Sequence, residues 1–219
     1  MKKNFQLACD NSKASAIKFI PIWKRIFESL KNKVAYDIGS QFGAYALIFK
    51  ELGFDVHVFE PSKNYRKTLS ENFQSFHPVA ISDKNEILIC ELNDCTKNCE
   101  LTYAAQEVKF VRLDDYSMGL PPPGFIKMDI EGMESLAFKG MQRILNTMPV
   151  IQLEYHCSLD YKGKNYPGFV PPEDGGFDFQ LLYHNYLIFN SRLKKVNAID
   201  CYGNFFLMPR NSNMIKSLI

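Results

Sequence analysis

The residues best suited to chemistry sit where short apolar runs give way to turns. VAYDIGSQFGAYA (34–46) is the most informative of these places. Its apolar run ends in Asp37, and Gly39 and Gly43 follow. A strand–turn–helix with such glycines brings backbone close to a ligand. A dinucleotide would require amide donors for its pyrophosphate, together with a glycine where Gln41 stands. Asp37 would repel those phosphates. A donor with an ammonium and a sulfonium but no phosphate, such as S-adenosylmethionine, suits an acid better. Glu60 ends the next apolar run, DVHVFE, about 20 residues beyond Gly39, the position from which an acid accepts hydrogen bonds from ribose hydroxyls. Taken alone, Asp37 and Glu60 are ordinary turn-capping acids. Only the glycines and the strand context join them into a cofactor site.

Further acids follow the same rule. Ser82 and Asp83 close HPVAIS, where an acid can meet an adenine amino group or simply cap the turn. Asp129 closes GFIKMD, Glu131 follows it, and Glu154 and His156 close VIQLEYH. Were such a donor to pass its methyl group to an alcohol, the transfer would require alignment and a base beside the methyl group. Asp129 is the first choice for that base. Glu131 is a candidate that also reads as a helix-start acid, and Glu154 and His156 are candidates from the adjacent strand. Asp129, Glu154 and His156 could instead hold a divalent cation such as magnesium, which would acidify a hydroxyl, although their spacing does not demand one. Lys127 lies within its strand and requires a partner or a route to solvent. Asp114 and Asp115 end another apolar run, VKFVRL, and are candidates to border the cofactor.

These positions depend on the elements that carry them. Strands are expected at 34–39, 55–60, 77–82, in NEILICEL and VKFVRL, and at 124–129 and 150–156. A polar loop, Asn93 to Thr102, separates NEILICEL from VKFVRL. Helices are expected from Gly43 to Gly53, from Ser62 to about Phe73, and after Asp129. This alternation predicts an α/β fold with a mostly parallel central sheet, helices on both faces, and a ligand site at the carboxyl ends of the strands. FDFQLLYHNYLIF reads as a helix leading into a strand, and NFFLMP (204–209) as a final edge strand. Residues 157–176 form a long segment rich in proline, glycine and aromatics, in which Tyr161, Tyr166 and Phe169 suit a lid over an acceptor or a seal at the core edge. Residues 1–33 are read as an N-terminal helical arm, and 34–219 as one domain. The arm's helical spacing of Phe19, Trp23, Ile26 and Phe27 favours a helix packed on that domain over one lying on a membrane surface.

A formal net charge of +2 does not indicate a nucleic-acid partner. No apolar run is long enough to span a membrane, and the N-terminus lacks a signal-peptide pattern, so a cytoplasmic location is expected. The six cysteines are read as free thiols. Cys95 and Cys99 form a C-x3-C pair that lacks the further ligands of a metal site.

DIGSQFGAYA, VFEPSKNYRKTLSENF, VAISD, RLDDY and FIKMDIEGMESLAFKGM follow one another in an order and spacing that resembles the FkbM-type methyltransferases. The resemblance covers about residues 34–156, and IKMDIEG is its most specific part. Gln41 departs from the family's usual asparagine. The resemblance implies a class I methyltransferase (Rossmann-like) three-layer fold, S-adenosylmethionine as donor, and methylation of hydroxyl oxygens on sugars or natural products. Asp37, Gly39, Gln41, Gly43, Glu60, Ser82 and Asp83 are then the cofactor candidates. The expected partner is a small-molecule or glycan acceptor, with no nucleic acid. MDIE replaces the Pro-Pro-aromatic signature that often follows the strand-end residue in enzymes methylating base amines. The competing readings are an NAD-dependent oxidoreductase and a non-catalytic S-adenosylmethionine-binding module.

Overall fold

The computed structural model describes residues 16–95, 101–155, 180–197, 199 and 203–212. Near-continuous apolar runs become strands buried on both faces, as parallel interior strands must be. They are β1 (Val34–Ile38), β2 (Asp55–Phe59), β7 (Phe125–Met128) and β8 (Val150–Tyr155). With β3 (Phe76–His77) they form the parallel part of an eight-stranded sheet ordered β10-β9-β11-β8-β7-β1-β2-β3. The rest is antiparallel: β9 (Tyr186–Asn190), β10 (Lys195–Val196) and β11 (Gly203–Pro209). The mostly parallel expectation therefore holds for the half that carries the glycine turn. The expected edge strand NFFLMP instead lies inside the sheet, between β8 and β9. Phe205 and Leu207 face one side and Phe206 and Met208 the other, all buried, and the backbone pairs with a strand on either side.

HPVAIS also differs from expectation. It splits into β3 and β4 (Ala80–Ser82), which belong to two different sheets. Pro78 lies between them and has no N–H to donate to a ladder. β4 pairs in parallel with β6 (Leu101–Arg112), and β6 pairs antiparallel with β5 (Glu86–Cys95). The polar loop placed between NEILICEL and VKFVRL is strand at both its ends, 93–95 and 101–102, because the two runs pair well beyond the expected limits. Residues 96–100 lie outside the described residues.

Helices cover both faces of the large sheet. On one face, α1 (Ile20–Ser29) and α2 (Ala44–Leu52) pack over Phe125 and Phe206. Pro21 sits in the first turn of α1, where a missing N–H costs nothing. Phe19, Trp23 and Ile26, the residues a membrane-surface helix would give to lipid, are buried in this core. Trp23 meets Phe49 edge-to-face at 4.9 Å and donates its indole N–H to Gln152 Oε1 at 2.6 Å. Burial of a ring this size is worth about 3–5 kcal/mol against truncation. On the other face lie α4 (Leu113–Tyr116), α5 (Glu134–Lys139) and α6 (Gln142–Leu145). The single helix expected after Asp129 is broken at Gly140, whose Cα leaves no room for a Cβ against Ser82 O. α3 (Lys63–Asn72) is capped by Ser62, and α7 (Gln180–Asn185) leads into β9 as expected. No helix among the described residues is long and apolar enough to cross a membrane.

The β2–β3 edge holds a paired histidine cluster. His57 Nδ1 and His77 Nε2 are 3.1 Å apart, and the rings stack at 5.4 Å. Tyr116 Oη lies 3.4 Å from His77 Nδ1. The network is consistent with Tyr116 donating to Nδ1 while His77 Nε2–H donates to His57, which leaves both rings neutral. Burial, and then the neighbouring His57, push His77 down to about 4. A base whose folded pKa is depressed stabilises the fold fully above its unfolded value near 6.5. That contribution is lost as pH falls toward 4. The expected result is that the wild-type chain loses stability to urea between pH 7 and pH 5, whereas His77→Gln is weaker at pH 7 and loses less. Equal losses in both proteins would remove the cluster from the acid response.

Candidate active site

The turn after β1 is built by left-handed backbone. Gly39 has φ 78°, Gln41 47° and Gly43 77°. Gly43 is the N-cap of α2, and a Cβ there would meet Phe73 and Leu69 at 2.8 and 2.9 Å. At Gly39 a Cβ would lie 1.8 Å from Asp129 O, so the turn presses directly on the end of β7. Both glycines named from sequence are thus required by backbone shape. Gln41 occupies a conformation that asparagine tolerates better than glutamine, and so carries strain of order 1 kcal/mol.

Glu60 ties this turn to the end of β2. Its Oε2 accepts from the Gln41 amide at 2.9 Å, and its Oε1 accepts from the Ser62 amide at 2.9 Å. Gly39 N donates to Phe59 O at 2.9 Å, which completes the junction. Burial pushes the Glu60 carboxyl up to about 7, against the opposing pull of the two amides. Each carboxylate oxygen still has a second lone pair for a hydroxyl donor.

Beside the turn, Asp37 and Lys127 face each other in register across β1 and β7. Asp37 is fully buried, and Lys127 is 3% exposed. Lys127 Nζ donates to Gly39 O at 3.0 Å and stands 3.5 Å from both Asp37 Oδ1 and Asp129 Oδ2. It also lies 5.0 Å from the Tyr45 ring centroid. Burial works against the ammonium, but Asp129, Asp37, Tyr45 and Glu154 outweigh it and hold Lys127 above the ordinary lysine range. Burial raises the Asp37 carboxyl, and Lys127 opposes the rise. Burial also pushes the Tyr45 hydroxyl up to about 12. The partner that the sequence required for Lys127 is therefore this pair of acids. Asp37 lies beneath the turn and Lys127, rather than at an open surface.

Asp129 keeps a 23% exposed side chain at the end of β7. Glu154, half-buried on β8, is close enough for its charge to act on Lys127 and Tyr45. Asp129 and Glu154 are thus brought together with the glycine turn. His156 and residues 157–176 lie outside the described residues, so neither the proposed cation set nor the lid is described. Among the described residues, no group of three histidine, cysteine, aspartate or glutamate side chains is arranged as a metal site. The side chains of Cys95 and Cys99 are likewise outside the description.

Glu131 has φ 57° and Gly132 φ 101°, a sharp turn before α5. The helix-start role expected of Glu131 falls instead to Glu134, which is fully buried. Glu134 Oε1 accepts from the amides of Ile130 and Gly132 at 3.2 and 3.1 Å. Glu134 was not singled out from sequence. The signal was present in an acid opening the apolar-periodic run ESLAFK. Ser82 packs against Gly140 and donates to Asp83 Oδ1 at 3.2 Å. Both residues end a strand of the smaller sheet rather than the strand beside Glu60, where His77 stands. Asp114 bonds the amides of Arg143 and Ile144 and so caps α6.

From Asp37 to residue 179, the chain matches the FkbM methyltransferase domain. The chain belongs to the FkbM methyltransferase family. The matched span holds the glycine turn, Glu60, Lys127, Asp129 and Glu154. A curated relative, the hexuronic acid methyltransferase AglP of Haloferax volcanii, is 26% identical over an alignment of 146 residues that covers 62% of this chain and 61% of that protein. The match thus spans less than two thirds of the relative's length. The crystal structure of methyltransferase FkbM from Methylobacillus flagellatus KT superposes with a TM-score of 0.50 at 19% identity. It covers 80% of this FkbM chain and 43% of the other, and it bears on the fold alone.

Proposed function

We propose that this FkbM domain is an S-adenosylmethionine-dependent methyltransferase that methylates a hydroxyl oxygen of a sugar. The observation that carries the reading is the meeting of the Gly39 turn, Glu60 and Asp129 at adjoining strand ends, with Lys127 already engaged by two carboxylates. A pyrophosphate would require a free cation or a glycine-lined path at this turn. Lys127 is held by acids, and Gln41 replaces the glycine. A ribose and a methionine moiety suit the same residues. Glu60 offers acceptor lone pairs to the ribose hydroxyls, and the left-handed glycines allow backbone contact where a Cβ would not fit. Gln41 and Gly43 shape the floor of this site. Asp37 supports it from below through Lys127, and Ser82 and Asp83 are assigned to its adenine side.

A bound donor of this kind supplies a methyl group already activated on sulfur. The chain must then orient an acceptor, exclude water and take one proton. Asp129, the most exposed acid of the Asp37–Lys127–Asp129 cluster, is the proposed base. Glu154 and His156 are assigned to the acceptor side, with Glu131 at the rim. The acceptor class is proposed from the sugar-acid activity named for the Haloferax relative.

Calorimetry with S-adenosylmethionine, S-adenosylhomocysteine and NAD tests the cofactor. Micromolar binding of the first two without NAD supports the reading, whereas NAD binding alone overturns it. Transfer of a tritiated methyl group to p-nitrophenyl glucuronide and glucoside, with and without magnesium, tests the acceptor class. Asp129→Asn is expected to lower turnover about 100-fold, within the usual worth of a general base, while its melting temperature stays close to wild type. Full activity in that variant removes Asp129 from the chemistry.

A further inference from the structure

We propose that Lys127 is a positioning residue that holds the Gly39 turn and Asp129 in one fixed arrangement, rather than a counter-charge for Asp37 alone. The inference rests on the reading of Asp129 and the Gly39 turn as the working site.

Lys127 is a costly residue to bury. An ammonium deep in a core persists only where partners take its charge and its protons. If neutralising Asp37 were its whole purpose, an apolar pair at both positions would serve the fold as well. The geometry asks more of it. The side chain reaches past Asp37 to groups at the open end of the sheet. Its Nζ bonds Gly39 O at 3.0 Å and lies as near to Asp129 Oδ2 as to Asp37 Oδ1, at 3.5 Å. The ammonium thus hydrogen-bonds the turn carbonyl and is ion-paired with a carboxylate on either side. Two of these three partners belong to site elements: the carbonyl of the turn glycine and the carboxylate of the proposed base. The Tyr45 ring, 5.0 Å from Nζ, closes one side of the ammonium, and Tyr45 is itself fixed by an edge-to-face contact with Trp23 at 5.5 Å.

Backbone contacts link the same two loops. Gly39 presses on Asp129 O, and Asp129 N donates to Ile38 O at 3.0 Å. The ends of β1 and β7 therefore meet through backbone, while Lys127 fixes the turn carbonyl and the Asp129 carboxylate relative to each other. Without the ammonium, the turn would keep its backbone bonds and Glu60 but lose the side chain that ties its Gly39 carbonyl to Asp129. The Asp129 carboxylate would lose the one ionic partner described for it.

The deciding variant is the double substitution Asp37→Asn with Lys127→Met. Lys127→Met alone strands Asp37 in the core and can unfold the chain for that reason only. The double variant removes both charges together. The proposal predicts that it folds, melting within a few degrees of wild type. Hydrogen exchange of the ligand-free protein should then be at least 10-fold faster in peptides covering 38–43 and 129–133. Affinity for S-adenosylhomocysteine, measured by calorimetry, should fall at least 10-fold. Wild-type exchange and affinity in the double variant would reduce Lys127 to a counter-charge and overturn the proposal.

Asp129→Asn supplies a second arm that leaves the buried pair intact. It should speed exchange at 129–133, and unchanged exchange there also overturns the proposal, even if the double variant does not fold. If S-adenosylhomocysteine fails to bind the wild-type protein, the cofactor reading falls. The exchange measurements still decide what Lys127 does.

Discussion

Glu60→Gln is expected to weaken binding of S-adenosylmethionine by at least 100-fold while leaving the chain folded. A hydrogen bond to a charged acceptor is worth about 1.5–3 kcal/mol, and two ribose hydroxyls would share this carboxylate. Loss of about 3 kcal/mol corresponds to more than a hundredfold in affinity. Glutamine fills the same volume, but it offers one acceptor oxygen in place of two and brings an NH2 group toward the amide of Gln41 or of Ser62. The pH dependence follows from the buried carboxyl, which burial raises to about 7. Below pH 7 the ligand-free protein mostly carries a proton on Glu60. Hydroxyl donors favour the ionised form, so donor affinity should rise with pH to about 7 and level off above it. Binding near pH 6 should release a proton, read as a calorimetric enthalpy that varies with the buffer. Stability runs the other way. A carboxyl with a raised folded pKa stabilises the fold fully below its ordinary value near 4.5, and that contribution is lost as pH rises through 7. Unchanged affinity in Glu60→Gln would sink the cofactor assignment.

Gly39→Ala carries an equally large expectation by a different route. A methyl group at this position would lie 1.8 Å from the carbonyl oxygen of Asp129 and 2.8 Å from its carbon. Both atoms are backbone at the end of a central strand, so no side-chain rotation relieves the clash. The φ of 78° adds the left-handed penalty of about 1–2 kcal/mol. The expected outcome is loss of S-adenosylhomocysteine binding together with a melting point lowered by at least 10 °C, or failure to fold. Gly119→Ala provides the control. It shares a positive φ, 94°, but nothing lies within 4 Å of its would-be Cβ. It should show the backbone penalty alone, with donor binding retained. Similar losses in the two variants would mean that contact with Asp129 is not what makes Gly39 necessary.

Much of the candidate site was legible because its residues stand at strand ends, and strand ends are readable. Asp37, Gly39, Glu60 and Asp129 were marked by residue type at the close of apolar runs, and each lies at the end of β1, β2 or β7, with Gly43 at the N-cap of α2. The glycines were legible because left-handed backbone selects them locally. Glu134 escaped notice because its task is to bind the amides of a loop whose shape no local pattern reveals. Lys127 was visible only as a residue in need of a partner. Its acceptor and its two ion-pair partners come from the turn, β1 and the end of β7, and the parallel register brings them together.

Legible in the residues alone are the alternation of strands and helices, the glycine turn, the Glu60 position and a family resemblance centred on IKMDIEG. These are local features, written in apolar runs and in residues that tolerate special backbone. Which strands are neighbours emerges only in the packed fold. That packing put NFFLMP inside the sheet, divided HPVAIS between two sheets, and carried Ser82 and Asp83 away from the strand beside Glu60. Pairing order is set by how whole faces bury against one another. Phe206, buried edge-on against Phe19, has no local sequence signal that says which strands will flank it.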